Sequence, residues 1–192
     1  MSFEETIKKL KTVLADDKYN ILGYDYNEKQ MKKLEPWFYP WKKKNPLPPE
    51  IGVYLDELEQ KYPLISQKKT KGGIYFFGAI KADGFSLEEI QAKLQDYEKD
   101  LLERYERIGE KQAYEFKGNM YIPAHQLVFV FENGVSDELY EAIISCHKGI
   151  DVGKQTRPFI IDMQNKRASR HKGLPKAVGS PNPKKIGPKI FN

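Results

Sequence analysis

A chain of 192 residues with a formal net charge of +5 has the length of one domain with appendages, on a prior of ~100–200 residues per domain. Leu, Ile, Val and Phe supply a quarter of it, above the ~20 % below which chains stay disordered, so a core can form. No apolar stretch approaches the ~20 residues of a bilayer span. The opening Met1-Ser-Phe-Glu-Glu lacks the order of a secretion signal. One cysteine, Cys146, beside three histidines excludes an internal disulfide and a Cys/His zinc centre. The expectation is a soluble, cytoplasmic protein without membrane insertion.

In chain order, Ser2 with Glu5 forms a capping box, and Phe3, Ile7, Leu10 and Leu14 recur at three/four spacing, which predicts an amphipathic helix over 2–17. Asn27 with Gln30 signals a short helix ended by Pro36. Residues 36–49 hold five prolines and read as a stiff arm. Ile51, Tyr54, Leu55, Leu58 and Tyr62 suggest a third helix.

The character then changes. Gly73–Ile80 is apolar and aromatic between Gly-Gly and Asp83-Gly84, and reads as a strand. Ser86 and Glu89 open the clearest helix, whose apolar stripe runs from Leu87 to Ile108. Residues 114–122 form a bulged strand or a hairpin, 125–131 a strand, 136–150 a helix capped by Ser136, and 158–162 a last strand. This β-α-β-β-α-β order predicts an α+β fold, a ferredoxin-like or related antiparallel sheet with helices on one face. The expected division is a helical segment with a Pro/Trp-rich arm (1–65), an α+β sandwich (73–166) and a basic Pro/Gly-rich tail (167–192).

Charge is unevenly spread. No acid follows Asp162, whereas Lys166, Arg167, Arg170, Lys172, Lys176, Lys184, Lys185 and Lys189 lie beyond it, so residues 1–162 are mildly acidic. A Pro/Gly-rich basic segment with few large apolar residues cannot offset its ordering entropy alone, and reads as an extended tail waiting for a partner. Phosphate contacts of such a tail position without specifying sequence. Two smaller knots are Trp37 and Trp41 followed by Lys42, Lys43 and Lys44, and Lys68, Lys69 and Lys71 before Gly72. In the first, the rings could stack on bases while the lysines meet phosphates; equally, the tryptophans could pin the arm as satellite core.

Ile74-Tyr-Phe-Phe-Gly-Ala-Ile80 resembles the first-strand motif of the RNA-recognition module. His125–Phe131 lacks the glycine and spaced aromatics of that family's second motif, so membership does not follow. Residues 151–166 resemble the PD-(D/E)xK nucleases: Asp151 precedes Gln164-Asn165-Lys166, and Asp162, Gln164 and Lys166 would share one strand face. The resemblance implies Mg²⁺ held by the acids, with lysine orienting the attacking water. Gln164 stands where that family has an acid. His147 adjoins Cys146, and adjacent helical residues point apart, so they form no nucleophile–base pair.

The sequence therefore favours a non-catalytic nucleic-acid-binding or nucleoprotein-assembly protein without a cofactor. Its tail and aromatic/lysine arm would contact the polyanion. The alternatives are a Mg²⁺-dependent nuclease using Asp151, Asp162, Gln164 and Lys166, and a structural subunit whose tail threads into a protein partner.

Overall fold

The computed structural model describes residues 1–17, 19–21, 60–70, 73–108, 125–145, 156–172 and 182–192. Within these the chain is α+β. Four helices, α1 (Phe3–Asp16), α2 (Leu87–Ile108), α3 (Asp137–Ile144) and α4 (Pro183–Phe191), accompany six strands: β1 (Asn20–Ile21), β2 (Leu64–Thr70), β3 (Gly73–Lys81), β4 (His125–Phe131), β5 (Thr156–Asp162) and β6 (Arg167–Arg170).

The strands form one mixed sheet in sequential order, β1 to β6. β2 and β3 are an antiparallel hairpin in which Thr70 faces Gly73. β3, β4 and β5 are parallel, in the registers Ile80 to Phe129 and Phe129 to Ile160. β6 returns antiparallel to β5, with Asp162 opposite Arg167. Helices α2 and α3 are the two crossovers that parallel neighbours require.

Alternation along each strand feeds two cores. Phe76, Ile80, Leu127, Phe129, Phe131 and Ile160 meet Ile90, Leu94, Tyr97 and Leu101 of α2, and Tyr140, Ile143 and Ile144 of α3. Phe77, Ala79, Val128, Val130, Phe159 and Ile161 meet Phe3, Ile7, Leu10 and Leu14 of α1, and Ile186 and Ile190 of α4. The sheet is thus covered on both faces.

This differs from the ferredoxin-like expectation of an antiparallel sheet covered on one face. A sheet exposed on one side alternates apolar with polar residues. Here β4 reads His-Gln-Leu-Val-Phe-Val-Phe and every residue in it is buried. Two apolar faces demand two helical layers, and α1 and α4 supply the second.

The tail expectation also changes. Arg167–Arg170 is an edge strand and 183–191 a helix; residues 173–181 lie outside the described residues. A nine-residue helix containing Gly187 and Pro188 has little intrinsic stability. It is held by Ile186 and Ile190, both fully buried, and each such side chain contributes about 1.5–3 kcal/mol on burial. A Cβ at Gly187 would meet that of Ala168 in β6 at an ordinary contact distance of 3.6 Å and crowd the Phe191 ring of the same helix at 3.3 Å. Asn182 caps the first turn through the N–H of Lys184, and Pro183 occupies a position where no N–H is needed.

Helix α3 ends at Ile144 with Ser145 as its cap, six residues short of the expected end. The expected helices at 27–34 and 51–62, apart from its last residues, the arm at 36–49, the strand or hairpin at 114–122, and Cys146 lie outside the described residues.

Candidate nucleic-acid interface

The cations that drew attention in the sequence fall into separate groups. Trp37, Trp41, Lys42, Lys43, Lys44, Lys71 and Asp151 lie outside the described residues. Lys68 and Lys69 belong to β2, opposite Tyr75 and Ile74, rather than to a connecting turn. Of the tail cations, Arg167 and Lys172 are engaged on the α2/α3 side. Arg167 reaches Asp162 at 2.8 Å, Asp137 at 2.6 Å and the carbonyl of Val135 at 3.0 Å, and its guanidinium lies 3.9 Å from the centre of the Tyr140 ring. Lys172 pairs with Glu141 at 2.9 Å.

Arg170, Lys184, Lys185 and Lys189 lie on the other side of the sheet, whereas Lys166 sits in the β5–β6 turn and Lys176 lies outside the described residues. Arg170 faces Phe159 across the β5–β6 ladder, and Phe159 points into the α1/α4 core, so Arg170 belongs to that side. Helix α4 carries Lys184, Lys185 and Lys189, all exposed. Helix α1 packs beside it, and because its Phe3, Ile7, Leu10 and Leu14 face the sheet, the three/four periodicity turns Lys8 outward. Lys8 is exposed, and Lys9 and Lys11 are half-buried. Sequence reasoning missed the α1 lysines as partners of the tail, although their helical phase was visible; what it could not supply was the docking of α4 against α1.

Two contacts join the helices. Lys9 Nζ donates to the carbonyl of Ile190 at 2.9 Å, a cation on the negative end of the α4 dipole. Lys189 Nζ lies 3.3 Å from Asp16 Oδ2, with both side chains at least half exposed, so this pair contributes little to stability. Helices α1, α2 and α3 each carry two acids in the first turn, as the helix dipole favours. The first turn of α4 carries Lys184 and Lys185 and no acid. That placement opposes the dipole and leaves the end of the helix electropositive.

The nuclease constellation does not assemble as a strand face. β5 stops at Asp162, and residues 163–166 form the turn to β6, so period-two alternation no longer relates Asp162, Gln164 and Lys166. Asp162 is fully buried and its oxygens are occupied: Oδ1 accepts the N–H of Asn165 at 3.1 Å, and Oδ2 accepts Asn165 Nδ2 and Arg167 Nε, each at 2.8 Å. Gln164 is exposed and lies against Gly134, whose positive φ of 83° suits a residue without a side chain. Lys166 is exposed at a φ of 48°. Among the described residues no three His, Cys, Asp or Glu side chains are grouped to hold a metal ion.

The carboxyl ends of the parallel strands, where open α/β sheets bind ligands when the winding reverses, are closed by protein groups. Both crossovers run the same way, so β3, β4 and β5 contain no reversal. Lys81, at the end of β3, bonds Glu132 after β4 and lies 3.6 Å from Asp83. Glu132 also accepts the N–H of Phe3 at 3.1 Å, tying the start of α1 to the sheet. The Lys81 ammonium holds the Glu132 carboxyl below the usual carboxylate range, and Glu132 in turn raises the Lys81 pKa.

Comparison with protein-family models, curated proteins and solved structures finds no match to this chain. Among the described residues no helix is long and apolar enough to cross a membrane.

Proposed function

We propose that this chain is a non-catalytic nucleic-acid-binding protein, working alone or in a nucleoprotein assembly, and that it meets the phosphate backbone with its α1/α4 layer. The observation that carries this reading is the collection of exposed Lys8, Lys184 and Lys185 on two neighbouring helices. On the opposite side of the sheet the tail cations Arg167 and Lys172 are paired with acids of the same chain. The electropositive first turn of α4 adds to this support, since the positive end of a helix and its lysines act on an anion in the same sense.

The reading keeps the segregated charge of the sequence but moves the contact from an extended tail to a folded face. The Trp37/Trp41 arm with Lys42–Lys44, and Lys68 and Lys69 of β2 with Lys71, remain proposed auxiliary contacts. A protein partner for the basic tail, residues 167–192, stands beside it as a second proposal.

The test is fluorescence anisotropy with a labelled 20-base-pair DNA duplex, comparing the full chain with a Lys8→Glu/Lys184→Glu/Lys185→Glu variant whose fold is verified by circular dichroism. Binding that the triple variant loses supports the reading. Absence of binding by the unaltered chain to DNA and RNA, duplex and single-stranded, at low salt overturns it.

A further inference from the structure

Resting on that reading, we infer that the α1/α4 face makes three phosphate contacts, through Lys8, Lys184 and Lys185, and that Asp16 withholds a fourth by competing for Lys189. The count follows from what each ammonium does. Lys9 is committed to the Ile190 carbonyl and serves to dock α4. Lys8, Lys184 and Lys185 are exposed and have no acidic partner among the described residues. Lys189 is shared: its ammonium lies 3.3 Å from Asp16, yet both groups are open to water.

Asp16 is placed where helix physics does not want it. It occupies the last turn of α1, which has no basic residue, and a carboxylate there opposes the dipole. Local structure gives no reason for the acid, and Lys189 of α4 is the group that offsets it. Asp16 thus lowers the positive charge of the face without being needed for the fold. Asp16 already holds Lys189 at 3.3 Å and removes that one cation from the face, so the pair attenuates binding rather than abolishing it.

Among the described residues the only exposed large apolar side chain is Met1, and Phe191 of α4 is partly buried against the core, so this face offers no fully exposed ring on which an unpaired base could stack. The partner it fits is a double-stranded nucleic acid, gripped by its backbone and unread in sequence.

The test is the salt dependence of duplex binding by the full chain, measured by anisotropy. The three contacts of this face contribute about −2.7 to the log–log slope, from ~0.9 per phosphate on DNA. Asp16→Asn frees Lys189 and steepens the slope by about 0.9, with tighter binding at every salt concentration and an undiminished melting temperature. Asp96→Asn, on the exposed side of α2, changes net charge equally and leaves the slope alone. Lys8→Ala, Lys184→Ala and Lys185→Ala each flatten it by about 0.9. A duplex of unrelated sequence binds as well as the first.

Equal shifts from Asp16→Asn and Asp96→Asn, or none from Asp16→Asn, overturn the attenuator. Single-strand binding that depends more strongly on the three lysines overturns the duplex assignment. Duplex binding insensitive to all three overturns the face while the nucleic-acid reading stands; no binding of any kind ends that reading too.

Discussion

Arg167 holds Asp162 across the β5–β6 turn, Nε to Oδ2 at 2.8 Å, with the carboxylate fully buried and the guanidinium 28 % exposed. A buried carboxylate needs its partners, because loss of one leaves an uncompensated charge. Arg167→Ala is therefore expected to cost about 2–4 kcal/mol in urea unfolding, discounted for the exposed part of the arginine. Loss of the Tyr140 ring contact is included in that figure. Asp137→Ala, removing a partner that is 90 % exposed, should cost under about 0.5 kcal/mol. Equal effects of the two changes would show that burial of Asp162 does not set the energetics here.

The same pair shows why the sequence misled where it did. Asp162 and Arg167 looked like, respectively, a metal ligand and the start of a free tail, because nothing local reveals that β5 turns back through Met163–Lys166. Local signals that need only one element were legible: the capping boxes of Ser2 and Ser86, the stripe of α2, and the apolar strands β3, β4 and β5. Their unbroken apolar runs already encoded burial on both faces. Reading them as an antiparallel sheet overlooked that. α4 was not legible, since Gly187 and Pro188 argue against a helix and only Ile186 and Ile190, in contact with α1 and β6, argue for one. The lysines of the candidate face were visible individually, but their neighbourhood depends on that docking.

Gly78 gives a test of how closely α2 lies on the sheet. A Cβ at this position would sit 2.9 Å from the Tyr97 ring, which is itself fully buried. Overpacking of a tight core costs about 1–3 kcal/mol, so Gly78→Ala should lower stability by that order. Trimming the ring relieves the clash, and the double variant Gly78→Ala/Tyr97→Leu should fall short of the sum of the two single losses by about 0.5–3 kcal/mol. Strict additivity in a double-mutant cycle would mean that the glycine is there for another reason.

His125 is expected to make stability fall on the acid side. It is fully buried at the start of β4, and burial pushes its pKa down to about 3, while the unfolded chain titrates near 6.5. Because the folded form resists protonation, its contribution is fully present above pH 6.5 and is lost as pH falls towards 3. The loss is about 1.4 kcal/mol per pH unit for one such group. His171, whose pKa burial also lowers, acts in the same sense. Urea midpoints at pH 7, 5.5 and 4.5 should fall steadily, and a His125→Gln variant, less stable at pH 7, should show a shallower decline. Parallel slopes for the two proteins would refute the assignment to His125.

Truncation separates a folded C-terminus from an accessory tail. If residues 182–192 were an extension, their removal would reduce polyanion binding and leave thermal stability unchanged. The burial of Ile186 and Ile190 beside Phe3, Leu10 and Phe159 predicts otherwise. Ile186→Ala alone should cost about 2–4 kcal/mol, as large-to-small changes in a packed core do, and deletion of 182–192 should cost more by exposing the apolar face of α1. Loss of binding in the deletion variant then cannot be read as loss of contacts alone. Lys184→Ala/Lys185→Ala resolves this, since both side chains are exposed: it should weaken duplex binding with a melting temperature within about two degrees of the unaltered chain, surface changes being worth about 0.5 kcal/mol or less. Should Ile186→Ala instead be as stable as the parent, α4 would not be a structural element of the fold, and the face that it forms with α1 would lose its basis.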